Sequence, residues 1–364
     1  LIAGNHEFVD IAHGAACYNN QFIAALKKDG SAWAWGRNFE GQLGDNTITN
    51  KSSPISVVGN HSFIKISSGE NNTLALKKDG SVWAWGNNAS GQLGNNTTTN
   101  RSSPVSIVGN HSFIEIMAGS STCAALKADG SVWTWGLNNY GQLGNNSLIS
   151  SSSPVSITGN HSFIAIFGNG QYFMGLKEDG SVWAWGLNNV GQLGTGNTSN
   201  YSSPVSIIGG HSFKAISCGY TFAMALKEDG TVWTWGEGTF GALGDNTTIS
   251  KSSPIAVVGN HKFVQIFAGN KHAFALKEDG RLWGWGEGAY GKLGNNRTTN
   301  KSSPIAITND YRFIQIRAGN NTSFGISPRL SQPIKALKCI SNSTNKEKKI
   351  MLSSNYEDLS TPFS

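Results

Sequence analysis

The 364-residue chain is rich in glycine (45) and tryptophan (12), is only 14% charged, and carries a formal net charge of +6. The positive charge is spread thinly, with no basic cluster in the repeating part, which speaks against nucleic acid as the main partner. No apolar run is long enough for a membrane-spanning helix, and long helical patterns are absent.

The chain opens on Leu1 with no visible secretory signal, consistent with a mature or trimmed product. Leu1 to His6 loosely match the last strand of the unit that follows. Phe8 then begins a strand, and the same signal returns at Phe63, Phe113, Phe163, Phe213, Phe263 and Phe313. Take the second unit. Phe63-Ile64-Lys65-Ile66 reads as a strand ending at Gly69. A short loop from Glu70 to Thr73 leads to a strand at Leu74-Ala75-Leu76-Lys77. Asp79-Gly80 is a tight-turn signal in which both central residues would take positive φ. Next comes Ser81-Val82-Trp83-Ala84-Trp85, ending at Gly86. A long polar loop carries Gly91-Gln92-Leu93-Gly94, and Pro104 opens a short strand, Val105 to Val108.

The tryptophan pair recurs as Trp33/Trp35, Trp83/Trp85, Trp133/Trp135, Trp183/Trp185, Trp233/Trp235 and Trp283/Trp285, fifty residues apart each time. Such a period means a solenoid, a propeller or an array. Neither face of the tryptophan strand is polar, so sheet must stack on sheet. The small residues between the tryptophans (Ala34, Ala84, Thr134, Ala184, Thr234, Gly284) let a neighbouring sheet approach. Four short strands per unit make a propeller blade. The expectation is an all-β, seven-bladed β-propeller over residues 1–340, closed by a blade shared between the two chain ends. Its C-terminal contribution would come from Phe313 to Ile316, Ser323 to Ile326 and Ile334 to Lys338. Residues 341–364 read as a polar tail, mobile or used for attachment.

The pattern ALKxDGxVWxWG, followed by GQLGxN and SSP, resembles the regulator of chromosome condensation repeat family over about residues 1–326. The resemblance implies a seven-bladed propeller, a rigid ring presenting loops to a partner. Family members include a nuclear exchange factor for a small GTPase, a plant UV-B photoreceptor and secreted bacterial inhibitors of β-lactamase.

No constellation for catalysis stands out. His6, His61, His111, His161, His211 and His261 occupy one repeat position, so they would be spread round a ring and cannot meet at one metal. They read as turn residues bonding local backbone. His13 and His272 have no partner at ligand spacing. The tryptophan pairs read as core rather than as an aromatic ligand box. Loops such as Asp45-Asn46-Thr47 lack the alternating carboxylates of a calcium loop. Cys17, Cys123, Cys218 and Cys339 read as buried free thiols, with an isolated disulfide as the alternative. Sequons at Asn60, Asn96, Asn100, Asn110, Asn160, Asn200 and Asn321 would be glycan acceptors in a secreted eukaryotic protein, or mere loop composition.

Repeats of one chain can be compared with each other, and two stretches vary most: the loop after the first strand and the segment after Trp-Gly. Strand direction puts both at one end of the ring. That end collects the candidate protein-binding residues Phe39, Tyr140, Tyr172, Tyr220, Phe222, Phe240, His272 and Tyr290. Caps on the blade ends are the alternative reading of the aromatics. The expected function is a non-enzymatic protein-binding scaffold, secreted or at the cell surface, possessing a protein partner or assembling with itself. No cofactor, nucleic acid, membrane span or small-molecule substrate is expected. The alternatives are a guanine-nucleotide exchange factor for a small GTPase and a cytoplasmic location.

Overall fold

The computed structural model describes residues 7–13, 22–307, 313, 315–318 and 323–326. The Leu1–His6 strand, most of the Gly14–Leu26 segment, Cys17, Cys339, the third closing strand at Ile334 and the 341–364 tail lie outside them.

Blade 1 is a four-stranded antiparallel meander of Phe8–His13, Phe22–Lys27, Ala32–Gly36 and Lys51–Ser56. Blade 2 repeats it as Lys65–Ser68, Asn72–Leu76, Val82–Gly86 and Arg101–Ser106. Blades 3 to 6 start at Glu115, Ala165, Ala215 and Gln265 and end at Ser156, Ser206, Ala256 and Ala306. A seventh sheet shows two strands, Gln315–Ala318 and Ser323–Ile326. First strands of successive blades touch one another, so they form the inner wall of a β-propeller.

The core lies between blades. Leu26, Ala34 and Leu43 of blade 1 face Phe63, Ile66, Ala75 and Trp85 of blade 2. Leu74, Leu76, Val82 and Ala84 on the other face of blade 2 meet Phe113, Ile116 and Trp135 of blade 3. Both faces of each sheet are therefore buried, as the apolar alternation of the tryptophan strand requires. The small residue between the tryptophans is fully buried at Ala34, Ala84 and Ala184. At Thr134 and Thr234 the hydroxyl donates to the carbonyls of Leu143 and Leu243, both at 2.6 Å.

Four local expectations change, beginning with the first strand of blade 2, which runs Lys65–Ser68 rather than from Phe63. The Asp-Gly turn is a type I turn closed by Gly80 Nα donating to Lys77 O (3.0 Å). Only Gly80 takes positive φ (82°). Asp79 keeps an ordinary backbone because its carboxylate accepts from Ser81 Nα (2.9 Å) and Oγ (2.6 Å). The second strand starts at Asn72 rather than at Leu74. The outer strand starts at Arg101 rather than after Pro104. Ala84 pairs with Val105 and Gly86 with Arg101, so Ser102, Ser103 and Pro104 bulge opposite Trp85. Proline is tolerated there because the ladder is interrupted.

Candidate protein-binding site

Blades 2 to 6 are each latched to the one before. In these blades the second tryptophan of the pair is fully buried, and its indole N–H donates to a backbone carbonyl in the preceding blade's Gly-Gln-Leu-Gly loop, or Gly-Ala-Leu-Gly in blade 5. The bonds are Trp85 to Gln42 O (3.0 Å), Trp135 to Gln92 O (2.9 Å), Trp185 to Gln142 O (3.1 Å), Trp235 to Gln192 O (3.0 Å) and Trp285 to Ala242 O (3.0 Å). The first tryptophan is half-buried, with a lysine ammonium on its ring and a histidine beside it. Lys77 lies 4.5 Å and His61 4.2 Å from the Trp83 ring centre. The same histidine contact recurs at His111, His161, His211 and His261. These histidines thus pack tilted against tryptophan instead of serving as turn anchors. Burial, then the nearby lysine, holds each below its usual pKa.

The two variable segments do share one end of the ring, here called the loop face. Asn87 Nα donates to Asn71 O (2.8 Å), and Glu237 Nα to Thr221 O (2.9 Å), joining the segment after Trp-Gly to the loop after the first strand. The segment after Trp-Gly is shaped by a buried asparagine. Asn88 donates through Nδ2 to Asn95 Oδ1 and to the carbonyls of Thr97 and Thr99, and accepts from Leu93 Nα at 2.9 Å. Asn38, Asn138 and Asn188 do the same and are fully buried. Sequence reasoning missed these residues, although their recurrence two positions after Trp-Gly in blades 1 to 4 was a usable signal.

Blades 5 and 6 differ. Gly238 and Gly288 replace the asparagine, and the outer loop closes in until a Cβ at Gly238 would sit 2.3 Å from Ile249 O. The following turn becomes a short 3₁₀ helix in which Phe240 (φ 61°) and Tyr290 (φ 57°) are left-handed. Every other left-handed non-glycine among the described residues is asparagine, which tolerates that region.

The candidate residues divide in two. Phe39 (60%), Tyr140 (38%), Phe240 (37%) and Tyr290 (60%) are exposed on the loop face, and Tyr220 is half-buried there. Charged neighbours surround them. The Arg37 guanidinium lies 5.3 Å from the Phe39 ring centre and donates to Asn71 Oδ1. Lys271 lies 5.0 Å from the Phe240 ring centre and 3.8 Å from Glu237. Tyr172, Phe222 and His272 are instead fully buried. They are the first residues of second strands, at the position of Phe22, Asn72 and Thr122, and pack between blades. Tyr172 Oη donates to Phe222 O at 2.6 Å in the next blade. His272 stacks edge-on to Phe274, and burial with nearby Lys292 lowers its pKa to about 3. These three belong to the core.

Among the described residues, no three His, Cys, Asp or Glu side chains gather as a metal-ligating group, and no helix is long and apolar enough to cross a membrane. The Asp45 carboxylate accepts from Thr47 Nα (3.1 Å), Thr47 Oγ1 (2.8 Å) and Asn38 Nδ2 (3.0 Å). Burial raises its pKa, but these bonds and Lys51 outweigh it and hold the group ionised as a loop clasp. Cys123 and Cys218 are free thiols, and burial pushes Cys123 up to about 12.

Radial four-stranded sheets with a loop face define a β-propeller. The family pattern described as RCC1-like domain matches residues 3–204. Patterns described as regulator of chromosome condensation (RCC1) repeat match residues 229–276 and 279–326, and residues 213–242 and 263–292. The chain belongs to the RCC1-repeat family. Comparison with curated protein sequences gives no match. Among solved structures, human WBSCR16 is similar at TM-score 0.78 and 21% identity, covering 90% of this chain and 88% of that one. Yeast RCC1 (Prp20) bound to Kap60 is similar at TM-score 0.76 and 20% identity, over 89% and 81%. Prp20p from Saccharomyces cerevisiae, described with its binding properties to Gsp1p and histones, gives TM-score 0.76 and 21% identity over 89% and 83%. Such identities speak to the fold alone.

Proposed function

We propose that this chain is a non-enzymatic binding scaffold that takes a protein partner on its loop face. The observation behind this reading is the pair Phe240 and Tyr290, exposed aromatics held in a backbone region that costs L-residues free energy. Phe39 and Tyr140 occupy corresponding segments of other blades, so the aromatics spread round the face rather than fill one pocket. Aromatics beside Arg37 and Lys271 have the composition of binding hot spots. The reading places the protein outside the cell or on its surface, supported by the exposed sequon asparagines Asn60, Asn110 and Asn160. The test compares proteins captured by immobilised wild type and by Tyr290→Ala and Phe39→Ala. Captured bands should fade in the variants while thermal midpoints hold. Unchanged capture would overturn the reading.

A second reading, guanine-nucleotide exchange on a small GTPase, is favoured by the fold similarity to Prp20p, which was described with its binding to Gsp1p. Retention on an immobilised small GTPase with accelerated nucleotide release would support it over the scaffold.

A further inference from the structure

The opposite end of the ring, here the turn face, carries the Asp-Gly turns and an apolar annulus. Ile64 follows Phe63, whose Nα donates to Gly30 O in the neighbouring turn, and Ile64 Nα donates to Leu76 O. Its side chain therefore sits at the turn end of the inner wall. It is 59% exposed. The equivalent residues are Val9 (64%), Ile114 (55%), Ile164 (58%), Lys214 and Val264 (41%). Five of six described positions thus present a β-branched apolar side chain to solvent in a ring around the axis. Scattered exposed apolar residues need no explanation, but the same exposed position held apolar in five of six described blades does.

Outside this annulus lies a ring of turn tips. The lysine at each turn's start lies over a tryptophan, and the aspartate is bonded to Ser81 or its equivalent. Only the residue between them is free to vary. It is Lys28, Lys78, Ala128, Glu178, Glu228 and Glu278 from blade 1 to blade 6, exposed throughout. At this tip position the side chain is basic at blades 1 and 2, uncharged at blade 3 and acidic at blades 4 to 6. Among the described residues no ion pair uses Lys28, Lys78, Glu178 or Glu278, whereas Glu228 pairs with Lys214 of its own blade at 3.6 Å.

We infer that the turn face pairs with the turn face of a second copy of this chain. A two-fold axis in the plane of the contact, passing through blade 3, brings blade 2 onto the partner's blade 4 and blade 1 onto its blade 5. Lys78 then meets an unpaired Glu178, Lys28 meets the Lys214–Glu228 ion pair, and the uncharged Ala128 lies on the axis. In the annulus Ile64 meets an Ile164, and Ile114 meets its own copy. An isologous contact requires a surface complementary to itself. A charge gradient that reverses about one blade supplies that complementarity. The arrangement also gives an apolar centre inside a charged rim, the usual anatomy of an interface.

Sedimentation of the full chain at low salt tests this. The expected species has twice the 38.7 kDa of one chain and dissociates more readily as salt screens the rim. Lys78→Glu and Glu178→Lys should each raise the dimer dissociation constant about tenfold or more, because each creates two like-charge contacts. The double variant Lys78→Glu/Glu178→Lys should recover the wild-type constant. Ile114→Asp should leave only monomer, while Tyr290→Ala on the far face should leave the dimer intact. A monomeric wild type, single reversals without effect, or a double variant no better than the singles would each overturn the inference.

Discussion

Phe240 and Tyr290 sit where asparagine or glycine would rest at lower cost. A left-handed L-residue is disfavoured by about 1–2 kcal/mol, and asparagine much less. Phe240→Asn should therefore raise stability in urea by about 1 kcal/mol while weakening the partner captured on the loop face. A variant that gained neither stability nor lost binding would remove strain from the account. Histidine makes a second prediction at this scale. His61, His111, His161, His211 and His261 all have pKa values held below 6.5 in the fold, mainly by burial, and His272 is lowered to about 3. Between the folded and unfolded values the unfolded chain binds more protons. Their contribution is therefore complete above about pH 6.5 and falls as pH drops through the unfolded value. Thermal midpoints should decline from pH 7 to pH 5, and His272→Thr, which adopts the residue found at Thr122, should flatten the decline that continues towards pH 3.

At the scale of elements, the indole latch joins separate meanders, and the asparagine cradle shapes the loop that receives the latch. Trp135→Phe removes the indole donor to Gln92 O, leaves that buried carbonyl only the weak Cys123 thiol donor at 3.3 Å and opens a void, so unfolding in urea should show a loss of about 3 kcal/mol. Asn88→Ala orphans the carbonyls of Thr97 and Thr99 and the Leu93 amide, with an expected loss of about 2 kcal/mol. The hairpin, the two-faced burial and the shared end of the two variable segments were all legible in the sequence, since each follows from period-two alternation around Asp-Gly. Tyr172, Phe222 and His272 were misread for a physical reason. Their position varies in residue type across the repeats because it packs against a different neighbour in each blade gap, and that variation resembles a recognition loop. The buried asparagines were hidden by polarity: a residue with four hydrogen bonds inside its own loop looks like ordinary loop composition.

For the whole molecule, sequence periodicity established a β-propeller, and the radial sheets bear it out through blade 6 and into a seventh sheet. What periodicity could not show is where the ring departs from its own symmetry, because such departures are single substitutions whose meaning depends on which blades they join. The loop face departs at Gly238 and Gly288, and the turn face at Ala128. The latches have a further consequence in time. Each indole donor follows its carbonyl acceptor by 43 residues, so a blade is completed by sequence that leaves the ribosome only after it. During synthesis the newest blade always has its Gly-Gln-Leu-Gly loop unclasped, and the ring is set one unit late from beginning to end. A pause in translation between Leu93 and Trp135 would strand that open edge in the cytosol or the translocation channel, where exposed Leu74, Leu76 and Val82 would await either the next blade or a chaperone.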